Sequence, residues 1–278
     1  MAKTHFTVTV PSIPGHVGGS ITCTEPAPQV YLLTLNSPPD NRLTPPMCAA
    51  LLEALDRVEF GGLLPGGTPE GVLVTTSAIP KFYSNGLDLQ LAMSTPGFTE
   101  NSLYPLFRRF LTFPMPTIAL INGHCFAGGL MLAMHHDYRV FSGGDRGYMA
   151  VNELEFGAPL LPPMAGIFRE KLRPDVYREL ALEARRFGGK EALAAGIVDA
   201  LGGLGAGDDG EGVLKLVREK GLVAKGKMGV YGMLKQEMYR GQVALLDARG
   251  QDVVKAPALM EAEKKRKHEG ALKVKAKL

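Results

Sequence analysis

Short apolar runs alternate along this chain with stretches in which apolar residues recur at helical spacing. Residues 30–35 (VYLLTL) form one run, closed by Asn36, Ser37 and two prolines, as expected of a strand and its stop. Thr44 then precedes Pro45 and a stretch carrying Met47, Leu51, Leu52 and Leu55. Thr as N-cap with Pro at the first helical position predicts a helix start there. After a Gly/Pro loop over 61–70, residues 71–76 (GVLVTT) predict a second strand. The cycle recurs with a loop over 77–89, a helix around 104–111 and a strand at 117–121 (TIALI). A glycine turn, a helix over about 128–136 and a strand at 137–142 (DYRVFS) follow. Strands that are apolar runs rather than alternations, with helices between them, predict an α/β fold whose strands are covered on both faces. From Pro174 onward the pattern is helical, with a glycine-rich joint expected over 202–210.

A chain of 278 residues that is 45% apolar can bury a large core without disulfide or metal support. The net charge of +3 is unevenly spread: seven basic residues face one acid over 264–278, so this tail carries +6 and the rest of the chain −3. A basic nucleic-acid-binding domain is therefore not implied. Cys23, Cys48 and Cys125 are odd in number and widely spaced, which points to a reducing compartment. No Asp, Glu, Lys or Arg lies between Arg109 and Asp137, yet prolines, Asn122 and glycines interrupt that stretch. It reads as a buried strand, loop and helix rather than a membrane span. The N-terminal residues show no apolar signal core, so no secretory address is expected.

Phosphate-loop, nucleophile-elbow, HExxH and dinucleotide-binding patterns do not occur. The scattered histidines lack ligand spacing, and no metal site is expected. Two glycine corners after strands stand out: 81–89 (KFYSNGLDL) and 121–134 (INGHCFAGGLMLAM). Glycine lets the backbone leave N–H groups unpaired and turned into a cavity, where two of them converging would receive a developing oxyanion. Ordinary turns explain the same spacing equally well.

The two corners in this order, the opening LNSPPDNRLT unit and the later NELEFG segment resemble the enoyl-CoA hydratase/isomerase (crotonase) superfamily over about residues 30–201. The glycine-helix pattern carried by Asn122, Gly123, Ala127, Gly128, Gly129, Leu132, Ala133, Met134, Asp137, Tyr138 and Arg139 is its most specific part. The resemblance implies a spiral of ββα units over 1–203 and a helical C-terminal region over 204–278. It also implies an acyl-CoA substrate, no cofactor beyond the substrate's own coenzyme A, and a homotrimer or dimer of trimers. It places the thioester oxygen between the backbone amides of Leu87 and Gly128.

In hydratases that resemble this chain, two glutamates serve the substrate. Here the first position falls on Met131, which cannot move a proton, and the second on Glu153. One base suits the shift of a double bond from C3 to C2, so the chain resembles the Δ3,Δ2-enoyl-CoA isomerase branch. Glu155 is the nearest rival base, sharing a face with Glu153 if the segment is extended. Asp88 is expected to form hydrogen bonds rather than act on substrate. Phe82, Leu87, Phe126, Met131 and Leu160 are candidate acyl-pocket walls. Ala276, Lys277 and Leu278 resemble a peroxisomal address read by an import receptor. The rival readings are another crotonase reaction, hydration or thioester hydrolysis, and a non-catalytic binding protein that uses the basic tail on RNA or a partner.

Overall fold

The computed structural model describes residues 3–144, 147–205, 212–248 and 256–275. One sheet has seven strands in the order β1 (Lys3–Val10), β2 (Gly19–Ala27), β3 (Val30–Asn36), β4 (Val72–Ser77), β6 (Thr117–Ile121), β8 (Tyr138–Phe141) and β10 (Ala200–Leu201). From β3 to β10 the strands are parallel, as the unalternating apolar runs predict. The antiparallel edge formed by β1 and β2 was not expected. In β1 the side chains of Val8 and Val10 turn inward while Thr7 and Thr9 turn out, the alternation of a strand covered on one face.

A second, smaller sheet joins β5 (Phe82–Ser84), β7 (His124–Phe126) and β9 (Met149–Ala150), all parallel. β4, β6 and β8 each pass into a short strand and then into a helix. β4 and β5 lead to α2 (Leu89–Ser94) and α3 (Tyr104–Leu111), β6 and β7 to α4 (Gly128–Met134), and β8 and β9 to α5 (Pro162–Lys171), which α6 (Pro174–Leu182) and α7 (Gly189–Ala195) follow. These are the expected ββα turns. The short strands lie where the sequence shows glycine corners, because three residues are too few for a hydrophobic period to register.

On one face of the large sheet, Leu33, Leu35, Leu73, Ala119 and Ile121 pack against the first helix, α1 (Pro45–Phe60), and against α3 and α4. Thr44 caps α1 by accepting from the Met47 amide, with Pro45 in the first turn, and Met47, Leu51 and Leu55 are buried. The other face carries Val30, Leu32, Val72, Val74, Ile118, Leu120 and Val140, and is covered by Val213, Leu216 and Val217 of α8 (Val213–Glu219). The helix after the glycine-rich joint therefore completes the covering predicted for both faces. Part of that joint, and residues 276–278, lie outside the described residues. Cys23, Cys48 and Cys125 are free and buried. Lys264 to Lys267 are exposed on the terminal helix (Ala256–Lys275), and among the described residues no helix is long and apolar enough to cross a membrane.

The later helices α9 (Tyr231–Met238) and α10 (Arg240–Asp247) dock through buried polar groups. Lys235 Nζ lies 2.9 Å from one Asp137 oxygen and 3.0 Å from the other, and donates to the Phe110 carbonyl. The same carboxylate accepts from the Thr117 amide and hydroxyl, which ties α9 to the ends of β6 and β8. Both side chains are at least nine-tenths buried. Removing one partner leaves the other charged and unpaired, at a cost of about 3–5 kcal/mol. Lys235→Ala should lower the unfolding free energy by about 3 kcal/mol, read from the midpoint of a urea titration; a loss below about 1 kcal/mol would show that the pair does not anchor α9.

Candidate active site

The small sheet brings the two glycine corners together. β5 and β7 pair in parallel, Phe82 with His124 and, after a one-residue bulge in β5, Ser84 with Cys125, so their exits leave side by side. Gly86 in the first corner has φ +74°, and a Cβ added there would stand 2.8 Å from the Gly128 nitrogen. Conversely, a Cβ on Gly128 would stand 3.4 Å from the Leu87 nitrogen. Leu87 N and Gly128 N donate to no protein acceptor among the described residues. Both residues line one cavity of about 510 Å³.

The third strand of the small sheet brings the acid. β9 pairs with β7, and the Ala127 amide of the second corner donates to the Ala150 carbonyl. Three residues beyond Ala150 the chain enters a tight turn, in which the Glu155 amide donates to Asn152 O and the Ala158 amide to Glu153 O. This turn places Asn152, Glu153 and Phe156 on the wall of the cavity that Leu87 and Gly128 line. Glu153 is only 8% exposed, and its Oε2 is buried without a hydrogen-bond partner. Burial pushes its pKa up to about 7, because the charged form loses water and gains little in return. A carboxyl near neutrality that faces a cavity is poised to take and return a proton.

The other sequence candidates are placed differently. The segment expected to be extended is a turn, so Glu155 does not share a face with Glu153; it is exposed and paired with Arg186 at 3.1 Å. Asp88 caps α2 by accepting from the Leu91 amide and pairs with His16 at 3.0 Å. The Leu91 bond, foremost, and His16 hold its carboxyl below the usual range, so it stands at the cavity wall as a committed carboxylate.

Of the five candidate acyl-pocket walls, Leu87 lines this cavity and the other four do not. In β5 and β7 the side chains alternate: Tyr83 and Cys125 point into the core, while Phe82 and Phe126 point away. Those two phenylalanines pack around the His124 ring, at centroid distances of 5.4 Å and 4.9 Å. Met131 is 1% exposed in the main core, and Leu160 is partly buried against that core. With Leu87, the apolar lining comes from Leu89, Ala127 and Phe156.

Three polar residues of the wall lie inside the matching segments but were not singled out there: Arg42, Asn85 and Asn152. Arg42 reaches the site by folding across from a loop more than 40 positions earlier in the chain, which no local pattern reveals. Asn152 was legible only as the neighbour of Glu153; its Oδ1 is buried without a partner. Among the described residues, no three His, Cys, Asp or Glu side chains come together in a way that could hold a metal ion.

Comparison with known proteins agrees with this geometry. The family profile described as enoyl-CoA hydratase/isomerase matches residues 25–203. An Arabidopsis thaliana protein named enoyl-CoA delta isomerase 3 is 34% identical over 229 residues, which cover 78% of this chain and 92% of the relative. Another from the same plant, enoyl-CoA delta isomerase 2, peroxisomal, is 34% identical over 76% of this chain and 88% of the relative. The crystal structure of human mitochondrial delta3-delta2-enoyl-CoA isomerase superposes with a TM-score of 0.65 at 22% identity, covering 84% of this chain and 89% of that one, a likeness of fold. A chain whose profile match spans its core, and whose corners and acid are assembled by a spiral of ββα turns, belongs to the enoyl-CoA hydratase/isomerase family.

Proposed function

We propose that this protein converts 3-enoyl-CoA to trans-2-enoyl-CoA, with Glu153 as the single base. One observation carries the reading: a single buried carboxyl, with its pKa raised to about 7, faces the same cavity as two unpaired backbone amides. The C2 proton of a 3-enoyl thioester lies between a carbonyl and an alkene. Glu153 takes it as a carboxylate, and the electron pair delocalises onto the thioester oxygen and across C2 to C4. The Leu87 and Gly128 amides receive the negative oxygen. Glu153 then returns the same proton at C4, the double bond forms between C2 and C3, and the charge balance closes with no redox partner.

Among the described residues no second acid is free to serve hydration: Met131 occupies the corresponding position, Glu155 is paired with Arg186, and Asp88 at the cavity wall is committed to the Leu91 amide and His16. The names of the plant relatives support the same reaction. The peroxisomal name of one relative supports a peroxisomal location, and the family resemblance supports assembly as a trimer.

Glu153→Gln should lower kcat for 3-hexenoyl-CoA by about 100 to 10,000-fold while binding of hexanoyl-CoA is kept, measured by absorbance and calorimetry. Full turnover in that variant would remove Glu153 from the mechanism.

The raised pKa also sets two pH dependences. The base must be ionised in the free enzyme, so kcat/KM should rise about tenfold per pH unit at acid pH and level off above about 7. A flat profile between pH 5 and 8 would contradict it. Stability should run the other way. A carboxyl whose folded-state pKa lies near 7, against an ordinary 4.5, favours the folded state at low pH and loses that advantage as pH rises between those values. The ionisation penalty at pH 8 is up to about 3 kcal/mol. Glu153→Gln should therefore unfold at higher urea than the parent at pH 8, with the gain vanishing near pH 4; a gain independent of pH would point to another cause.

A further inference from the structure

Three consecutive carbonyls of the first corner are held from one place. Arg42 Nη1 donates to the Asn85 carbonyl at 3.1 Å and to the Leu87 carbonyl at 2.7 Å. Between them, the Leu43 amide donates to the Gly86 carbonyl at 2.9 Å. Asp40 aims the guanidinium: its Oδ2 accepts from Arg42 Nε at 3.0 Å and from Asn85 Nδ2 at 2.7 Å. The Asp40 carbonyl also accepts from the Asn85 amide. Residues 40–43 therefore grip residues 85–87 along their backbone.

The peptide gripped at its centre is the one that matters. Gly86 O and Leu87 N belong to a single planar unit, so a donor fixed on the oxygen fixes the direction of the N–H on the opposite side. Hydrogen bonds in such a chain polarise one another, so the Leu43 amide strengthens the Leu87 N–H as a donor. Arg42 adds a permanent positive charge beside it, and among the described residues it is the one Lys or Arg that lines the cavity. Asp40 keeps its second oxygen buried without a partner, a local cost of the kind found where geometry serves function.

We propose that Arg42 is a positioning residue for the reaction, holding the Leu87 amide at the angle that receives the thioester oxygen and supplying positive charge as that oxygen becomes negative. This rests on the isomerase reading of the Leu87 and Gly128 amides. A planar guanidinium whose one nitrogen spans two carbonyls while its Nε meets a carboxylate cannot be replaced by a point donor. A mere loop brace would affect folding and leave the bound carbonyl alone.

The test compares the full-length parent with Arg42→Met and Arg42→Lys in three measurements: turnover of 3-hexenoyl-CoA, affinity for hexanoyl-CoA, and the thioester carbonyl stretch of bound hexanoyl-CoA by infrared difference spectroscopy. Arg42→Met should lose about 10 to 100-fold in kcat, part of the cost of deleting an oxyanion donor outright. Affinity for hexanoyl-CoA should change by less than about threefold, because the loss falls on the transition state. The carbonyl band should move back towards its frequency in water, and Arg42→Lys should fall between parent and Met in kcat and band position. An unmoved band in Arg42→Met, or a kcat equal to the parent's, overturns the proposal. If Arg42→Met does not fold, Arg42→Lys decides on the same readouts. A parent that binds hexanoyl-CoA with a shifted carbonyl but does not turn over 3-hexenoyl-CoA would sink the isomerase reading, and the band in the variants would still judge the clamp.

Discussion

Everything in this site depends on two backbone corners meeting closer than side chains permit. A Cβ on Gly86 would stand 2.8 Å from both the Gly128 nitrogen and the Phe126 carbonyl oxygen, and one on Gly129 would stand 2.4 Å from the Ser84 carbonyl oxygen. Contacts under 3.0 Å with backbone cannot be relieved by a rotamer change; the two corners would have to separate. Glycine at these positions is therefore a condition of the cavity itself. The parallel pairing of β5 with β7 brings the corners level, and the missing side chains let them touch.

The small sheet also explains why the acid arrives where it does. β9 is only Met149–Ala150, but the Ala150 carbonyl takes the Ala127 amide of the second corner. Ala127 has φ +49°, a region that costs a residue with a Cβ about 1–3 kcal/mol and persists only where its surroundings over-determine it. The bond to β9 is one such restraint. Glu153 follows three residues later, so the base and one oxyanion amide share a single rigid connection. The opposite corner is restrained from the strand-to-helix loop. Buried Asn41 accepts from the Ser37 amide and donates to Ser77 Oγ and the Tyr83 carbonyl, holding that loop against β4 and β5. Arg42, the next residue, can then reach the Asn85 and Leu87 carbonyls.

What could be read in the sequence was what local periods encode. The parallel strands announced themselves as apolar runs, and α1 by Thr44, Pro45 and its buried face. The corners showed through their glycines, and Glu153 through resemblance. Apart from Leu87, the acyl-pocket walls did not follow, because position along the chain does not say which way a side chain turns: Phe82 and Phe126 sit one residue from fully buried neighbours and are themselves only half-buried. Glu155 was misplaced for a related reason. Two residues apart is one face in a strand but not in the turn that Asn152 and Glu153 close. Arg42 and Asn85 were invisible because their role lies in contacts more than 40 positions apart.

The absence of a second acid bears on the state of the first. Glu153 already has a pKa near 7 from burial alone, with one carboxyl oxygen unpaired. Met131 lies one helical turn from Gly128, at 1% exposure, with no polar atom to share a proton. A carboxylate there would add like-charge repulsion to desolvation and push one of the two acids further into its neutral form. The two would then share one proton near neutral pH, and which of them stood ready as the base would depend on its neighbour's state. Methionine adds no further carboxyl beside Glu153, and Asp88 at the cavity wall is committed to the Leu91 amide and His16, so the basicity of Glu153 is governed by how dry its own position is, and the negative charge of the dienolate is answered by amides rather than by a second proton donor.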